Sequence, residues 1–213
     1  VLGAIAVTVL VGVGLNILTG LSGQVSLGHA GFFAIGAYSS SLLMTKLHWN
    51  FWLATVVAVI ISAVTGLVLA APALRVTGPY LAMITIAFGI IVERILVEWV
   101  DLTGGFGGIF NIPQPTLFNW FNFPLGMQNV VFLAWGAAIL ALFSFTALKN
   151  HDWGRAWQAV RDDQIAAATV GLNVLRIRLV AFAVSAAFTG LGGVFFASIV
   201  GFISPSSFTF NQS

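Results

Sequence analysis

Long apolar runs without a charge recur along this chain, and a spanning helix needs about 20 mostly apolar residues. Residues 51–74, 127–148 and 179–203 each satisfy that length with no charged side chain. Residues 80–100 are apolar as far as Val92 and then carry Glu93, Arg94 and Glu98, so this span reaches water or a protein interior near its end. Residues 1–18 and 27–45 complete the pattern, the second rich in Gly, Ala and Ser. The pattern predicts an all-α integral membrane protein, a polytopic helical bundle of about six segments.

Between the first two segments lies TGLSGQVSLGHAG, residues 19–31, too polar and glycine-rich for a lipid-facing helix. Broken backbone at membrane depth is tolerated where protein or a water-filled cavity receives it. The stretch is therefore either a discontinuous segment beside a pathway or an ordinary turn between two helices, and spacing does not choose between them. In the last span Ala186, Gly190, Gly193, Ala197 and Gly201 fall on one helical face. Such a stripe lets membrane helices approach closely, within the bundle or across a dimer. No internal repeat is evident.

Composition strengthens this picture. The 213 residues are 59% hydrophobic and only 7% charged, where a soluble domain carries roughly 25% charged residues; mean hydropathy is +1.03. Eight basic residues scattered among apolar spans form no stripe that tracks a phosphate backbone, so nucleic acid is not an expected partner. The absence of cysteine excludes disulfides, thiolate catalysis and Cys-based metal sites. The chain opens at Val1 inside an apolar stretch and reads as part of a longer one, with 1–213 a single transmembrane domain.

Charge then orients it. Lys149, Arg155, Arg161, Arg176 and Arg178, five of the eight basic residues, lie in 149–178, while 101–126 holds none. Positive-inside bias places 149–178 and Arg75 in the cytoplasm, and 101–126 outside with Lys46 as a minor violation. The outer loop's aromatics and prolines predict a segment at headgroup level. Its cluster Gly104, Gly105, Gly107 and Gly108 predicts a tight loop with positive φ rather than a phosphate cradle.

Candidate chemistry is sparse. The two lysines stand in MTKL and ALKN, so there is no Walker motif and any ATP is hydrolysed by another subunit. Arg94 and Glu98 sit at i,i+4 and, with Glu93, read as a structural or gating ion pair before a proton relay. His29 reads as a hydrogen-bonded interior group rather than a proton shuttle or metal ligand. No Ser–His–acid set or paired carboxylates are legible, so the chain is not read as an enzyme and no residue is assigned to a metal.

The charged loop is the most informative stretch. From Gly154 to Val170 it predicts a helix too polar to span, followed by Gly171 as a C-terminal cap and a short basic segment with Arg176 and Arg178. Its charges around an Ala-Gly turn suit docking into a partner's cleft. Equally, its arginines suit anchoring to lipid phosphates.

Several separated segments resemble one family: GLNILTGLSGQVSLGHAGFFAIGAY (14–38), LRVTGPYLAMITIAFG (74–89), LTGGFGGIFNIP (102–113) and RAWQAVRDDQIAAATVGLNVLRIRLVAFAVSAAFTGLGGVFFA (155–197). Together they cover most of the chain. They are similar to the permease subunits of ABC importers for branched-chain amino acids, in particular the LivM-like member of the permease pair. The resemblance implies a second permease subunit, two cytoplasmic ATP-binding subunits that hold ATP and Mg, an extracytoplasmic substrate-binding protein, and a bacterial-type inner membrane. It implies no cofactor in this chain. It also implies a loop of the form Glu-Ala-Ala-x-x-x-Gly docked on the ATPase. Ala166, Ala167 and Gly171 match that form; Ile165 stands where the acid is expected, so Asp162 and Asp163, with Arg155 and Arg161 nearby, become the charged candidates. Ser22, Gln24, Ser26 and His29 become candidates for polar lining of the pathway in an alternating-access cycle. The rival readings are a urea or short-amide ABC permease, an ATP-independent ion-coupled carrier or channel, and a membrane scaffold.

Overall fold

The computed structural model describes residues 1–73, 79–113, 115 and 127–208. Helix α1 (Leu2–Leu15) runs into a π-helical turn at Asn16–Leu21. Residues 22–28 are not helical, and α2 (His29–Thr45) follows. Then come α3 (Phe51–Ala73), α4 (Pro79–Glu98), the short α5 (Val100–Thr103), a 3-10 turn at Gly105–Gly107 and α6 (Met127–Asn150). Helices α7 (Asp152–Asp162), α8 (Gln164–Thr169) and α9 (Val174–Val200) lead to a last 3-10 turn at Pro205–Phe208.

Among the described residues, five helical stretches are long and apolar enough to cross a membrane: Leu2–Leu21, Phe51–Ala71, Tyr80–Glu98, Asn129–Asn150 and Val174–Val200. The sixth expected segment is α2, whose 17 residues extend about 25 Å, short of a hydrocarbon core about 30 Å thick. The non-helical run 22–28 leads directly into it. Within the spans, hydroxyls turn back onto carbonyls one turn earlier, as in Thr8 to Ala4 (2.9 Å), Ser62 to Ala58 (2.9 Å) and Ser198 to Val194 (3.0 Å). Such self-satisfaction lets Ser and Thr sit at membrane depth.

Helix α9 is the hub, packed against α1, α2 and α3. Of its apolar window 56% is buried, against 22% in α6, so α9 is interior and α6 peripheral. The small-residue stripe serves contacts inside the bundle. A methyl on Gly36 of α2 would lie 2.1 Å from the Gly190 carbonyl oxygen, and one on Gly190 would lie 2.2 Å from Ser62 Oγ of α3. Ala186 packs on Gly66, while Gly201 merely ends α9 with a φ of +70°.

Two ends of the bundle are defined by contacts between loops. At one end Trp157 of α7 donates to the Ile177 carbonyl (2.9 Å) and Arg161 donates to the Gly20 carbonyl (2.7 Å). At the other, Lys46 donates to the Asp101 carbonyl (2.6 Å) and Ile109 pairs with Ile203. The five basic residues of 149–178 thus share an end, and Lys46 lies beside Asp101 at the other, where alternation of the spans puts it against the charge bias. Gly104, Gly105 and Gly108 take the expected positive φ (77°, 56° and 75°), and Phe106 and Phe110 project outward. Arg75 and residues 116–126 lie outside the described residues.

Three expectations are corrected. The helix expected over 154–170 breaks at Asp163, whose φ of −153° and ψ of 111° are extended. Arg176 and Arg178 are not a separate lead-in but stand in the first turns of α9. No ion pair joins Glu93, Arg94 and Glu98 among the described residues. Arg94 and Glu98 are both exposed on α4, within the apolar stretch Tyr80–Glu98, and i,i+4 spacing alone does not bring their charged groups together.

Candidate functional site

The polar stretch ahead of α2 folds inward. Ser22, Gln24, Ser26 and His29 are 2%, 2%, 3% and 4% exposed, so their polar atoms need internal partners. His29 Nε2 lies 2.9 Å from Ser185 Oγ in α9, and Nδ1 lies 3.2 Å from Ser26 Oγ. Ser185 Oγ donates its hydrogen to the Gly14 carbonyl at 2.7 Å, which leaves it only a lone pair for His29. Nε2 therefore carries the imidazole hydrogen and Nδ1 accepts from Ser26. The Leu27 amide donates to Thr85 Oγ1 of α4 (3.0 Å), and Gln24 Nε2 donates to Ser22 Oγ.

This junction ties α1, α2, α4 and α9 together at depth, because Ser185 lies about 16 Å along α9 from Val174. Of the four pathway candidates, Ser26 and His29 border a cavity of about 290 Å³ between α1, α2 and α9, where Thr8, Val11, Phe33 and Phe196 complete much of the wall. Ser22 and Gln24 do not line it. Sequence reasoning missed Ser185 and Thr85, since a single hydroxyl in an apolar span carries no signal of its partner.

The end loop is built around one amphipathic helix. Gly154, Trp157 and Val160 recur every three residues on the buried face of α7, and Trp157 is fully buried. A methyl on Gly154 would lie 2.3 Å from the Leu148 carbonyl, so α7 rests directly on the end of α6. Arg155 pairs with Asp152 on the outer face; its hydrogen bond and charge hold the Asp152 carboxyl below the usual carboxylate range. Arg161 pairs with Asp162 at 2.9 Å.

Asp163 performs a different task from Asp162. Its Oδ1 accepts from the amides of Ile165 (2.8 Å) and Ala166 (3.0 Å), which caps α8. At the other end the Gly171 amide donates to Ala168 (3.0 Å) and the Leu172 amide to Ala167 (3.1 Å). With Gly171 at φ +87°, this is the paired-carbonyl closure that a left-handed residue permits. Ala167 is buried and Ala166 exposed. Two large apolar side chains stand outward here beside the exposed Gln164 and Thr169: Ile165 of α8 is 79% exposed and Val170, just after it, 80%.

Asp163→Ala is expected to weaken α8 by about 1 kcal/mol, read as roughly fivefold faster amide exchange at the described helix residues. Asp163→Asn keeps the acceptor and should restore slow exchange. Equal exchange in all three proteins would count against the cap.

Over residues 1–213 the chain matches the family described as branched-chain amino acid transport system / permease component. It is 42% identical over 226 aligned positions to the high-affinity branched-chain amino acid transport system permease protein LivM of Salmonella typhimurium (strain LT2), covering 96% of this chain and 53% of that protein. The LivM protein of Escherichia coli (strain K12) is 41% identical over the same shares. LivH of Salmonella typhimurium is 25% identical over 92% of this chain and 68% of its own length. The chain spans about half the length of the LivM proteins it matches. No solved structure matches it.

Proposed function

Given that this chain belongs to the permease component family of branched-chain amino acid transport systems, we propose that it is a transmembrane subunit of an ABC importer carrying leucine, isoleucine and valine into the cytoplasm. It transports rather than catalyses. ATP and Mg are held by separate cytoplasmic subunits, a second permease completes the pathway, and an extracytoplasmic binding protein delivers the amino acid. The membrane is a bacterial inner membrane, with the α7–α8 end in the cytoplasm by its positive charge.

One observation carries the docking role of that end: Ile165 and Val170 project from α8 at 79% and 80% exposure. Arg155 and Arg161 of α7 are each paired with an aspartate, while Lys149 and Arg176 are exposed, form no ion pair among the described residues and are left for lipid phosphates. Exposed apolar knobs beside neutralised charges suit a cleft on an ATPase subunit. In this reading Ile165 replaces an acidic contact by an apolar one, and Asp163 shapes α8 rather than touching the partner.

The test is uptake of labelled leucine by proteoliposomes holding the full-length permease pair, ATPases and binding protein. Uptake should follow internal ATP and survive collapse of ion gradients. Ile165→Asp with Val170→Asp should release the ATPase on purification and cut uptake at least tenfold, with membrane insertion unchanged. Uptake that persists without the ATPase and fails with the ion gradient would instead establish an ion-coupled carrier.

A further inference from the structure

Arg161 is the point at which the end loop touches the broken backbone before α2. The carbonyls at the end of a helix lack intrahelical partners, and a cation suits the negative end of the helix dipole. Near the end of the π-helical turn that continues α1, the Gly20 carbonyl receives Arg161 Nη1 at 2.7 Å, from a residue 141 positions away. Arg161 Nε and Nη2 meanwhile hold Asp162 Oδ1 at 3.0 and 2.9 Å. The guanidinium is therefore held on one side by Gly20 and on the other by Asp162.

The stem of Arg161 also lies over Gly23. A methyl there would come 2.4 Å from Arg161 Cγ and 3.1 Å from its Cβ, and the backbone has φ +68°. Only glycine accepts both that conformation and that approach. Six residues later the chain reaches His29, held by Ser185 and Ser26. The run 20–29 is thus clamped at the loop end by Arg161 and at depth by His29. The other attachments of α7 described above, Gly154 on the end of α6 and Trp157 on α9, reach regular helices instead.

We propose that Arg161 is a positioning residue that makes segment 20–28, the end of the π-helical turn and the non-helical run after it, move as one body with α7, delivering displacement of the end loop to the polar junction at His29. This rests on the importer reading above. It separates two roles inside the loop: Ile165 and Val170 receive force from the ATPase, and Arg161 passes it inward. An arginine is suited to the second role because its planar fork binds a carbonyl and a carboxylate at once.

The experiment uses the reconstituted full-length complex. Arg161→Ala should keep the ATPase bound and its hydrolysis within about twofold of the unmodified complex, yet lower uptake at least tenfold. Arg161→Lys, which can reach one carbonyl but lacks the fork, should recover a third to a half of uptake. A purely structural role would lower the amount of folded complex instead of separating hydrolysis from transport. A second measurement is amide exchange. Arg161→Ala should speed exchange at least fivefold at Ser22 and Gln24, whose amides donate to the Ile17 and Leu18 carbonyls at 3.2 and 3.0 Å, and leave Ile165 and Ala166 of α8 unchanged.

The latch is overturned if the unmodified complex transports and Arg161→Ala matches it. It is equally overturned if Arg161→Ala sheds the ATPase, which would place Arg161 at the partner interface, or if amide exchange at Ser22 and Gln24 is unchanged in Arg161→Ala. Failure of the unmodified complex to take up any amino acid with ATP overturns the importer reading itself, and the latch's role with it.

Discussion

Gly36→Ala is expected to remove nearly all folded protein from the membrane, although it adds a single methyl. That methyl would lie 2.1 Å from the Gly190 carbonyl oxygen and 2.6 Å from its carbonyl carbon. Both clashing atoms are backbone, so no side-chain rotation relieves the contact, and α2 must part from α9. Overpacking of a core typically costs about 1–3 kcal/mol and more where the surroundings are rigid. Against a total stability of about 5–15 kcal/mol, and with α9 also holding α1 and α3, the loss should spread through the bundle. Gly12→Ala is the matched control, because nothing lies within 4 Å of a methyl there, and alanine favours a helix by about 1 kcal/mol over glycine. The monodisperse peak in detergent should vanish for Gly36→Ala and persist for Gly12→Ala. Equal yields of the two would refute the close crossing.

Trp157→Ala should have the next largest effect, confined to the end loop. Trp157 is wholly buried and its indole donates to the Ile177 carbonyl at 2.9 Å. Truncating a buried tryptophan costs about 3–5 kcal/mol, and α7 has only a narrow face, Gly154, Trp157 and Val160, with which to hold on. Trypsin should then cut rapidly at Arg155 and Arg161 while the spanning helices stay protected. Trp157→Phe keeps most of the packing and loses a hydrogen bond worth about 1 kcal/mol, so cleavage should be intermediate. Uptake by the assembled complex should fall in the same order. Unchanged cleavage in the alanine variant would show that α7 is held by something else.

The spanning helices were legible because each rests on local composition. Residues 51–73 and 127–148 form helices where the apolar runs lie, and the glycines at 104, 105 and 108 turn where expected. The break at 22–28 was legible only as polarity. Whether it was a surface turn or a buried segment depended on Ser185 and Thr85, residues 156 and 58 positions from their partners. The break at Asp163 was hidden because aspartate is tolerated within a helix and preferred at its start, and only the cap geometry distinguishes the two. The Arg94–Glu98 pair failed as an expectation for a related reason. Spacing brings the side chains within reach, but whether they meet is decided by what surrounds them in the fold.

The family resemblance also gave Arg161 and Asp163 to a partner, whereas their side chains are spent within this subunit, on Gly20 and Asp162 and on the amides opening α8. Ile165 was the misfit in the loop, and its exposure is what the docking proposal rests upon. A motif match fixes which residues are present; it does not say which atoms are already occupied.

By itself the sequence determined how many apolar helices there are, which loops carry the charge, and where the backbone cannot span as a plain helix. A bilayer imposes those features locally, because every amide in hydrocarbon must be satisfied within its own segment. The tertiary structure alone decided that α9 is the hub, that His29 meets Ser185, and that Arg161 closes the end of α1. Lipid is as apolar as leucine and gives one helix no hydrophobic preference for another, so pairing follows surface fit and a few hydrogen bonds. Those contacts join residues more than a hundred positions apart, and only the folded chain brings them together.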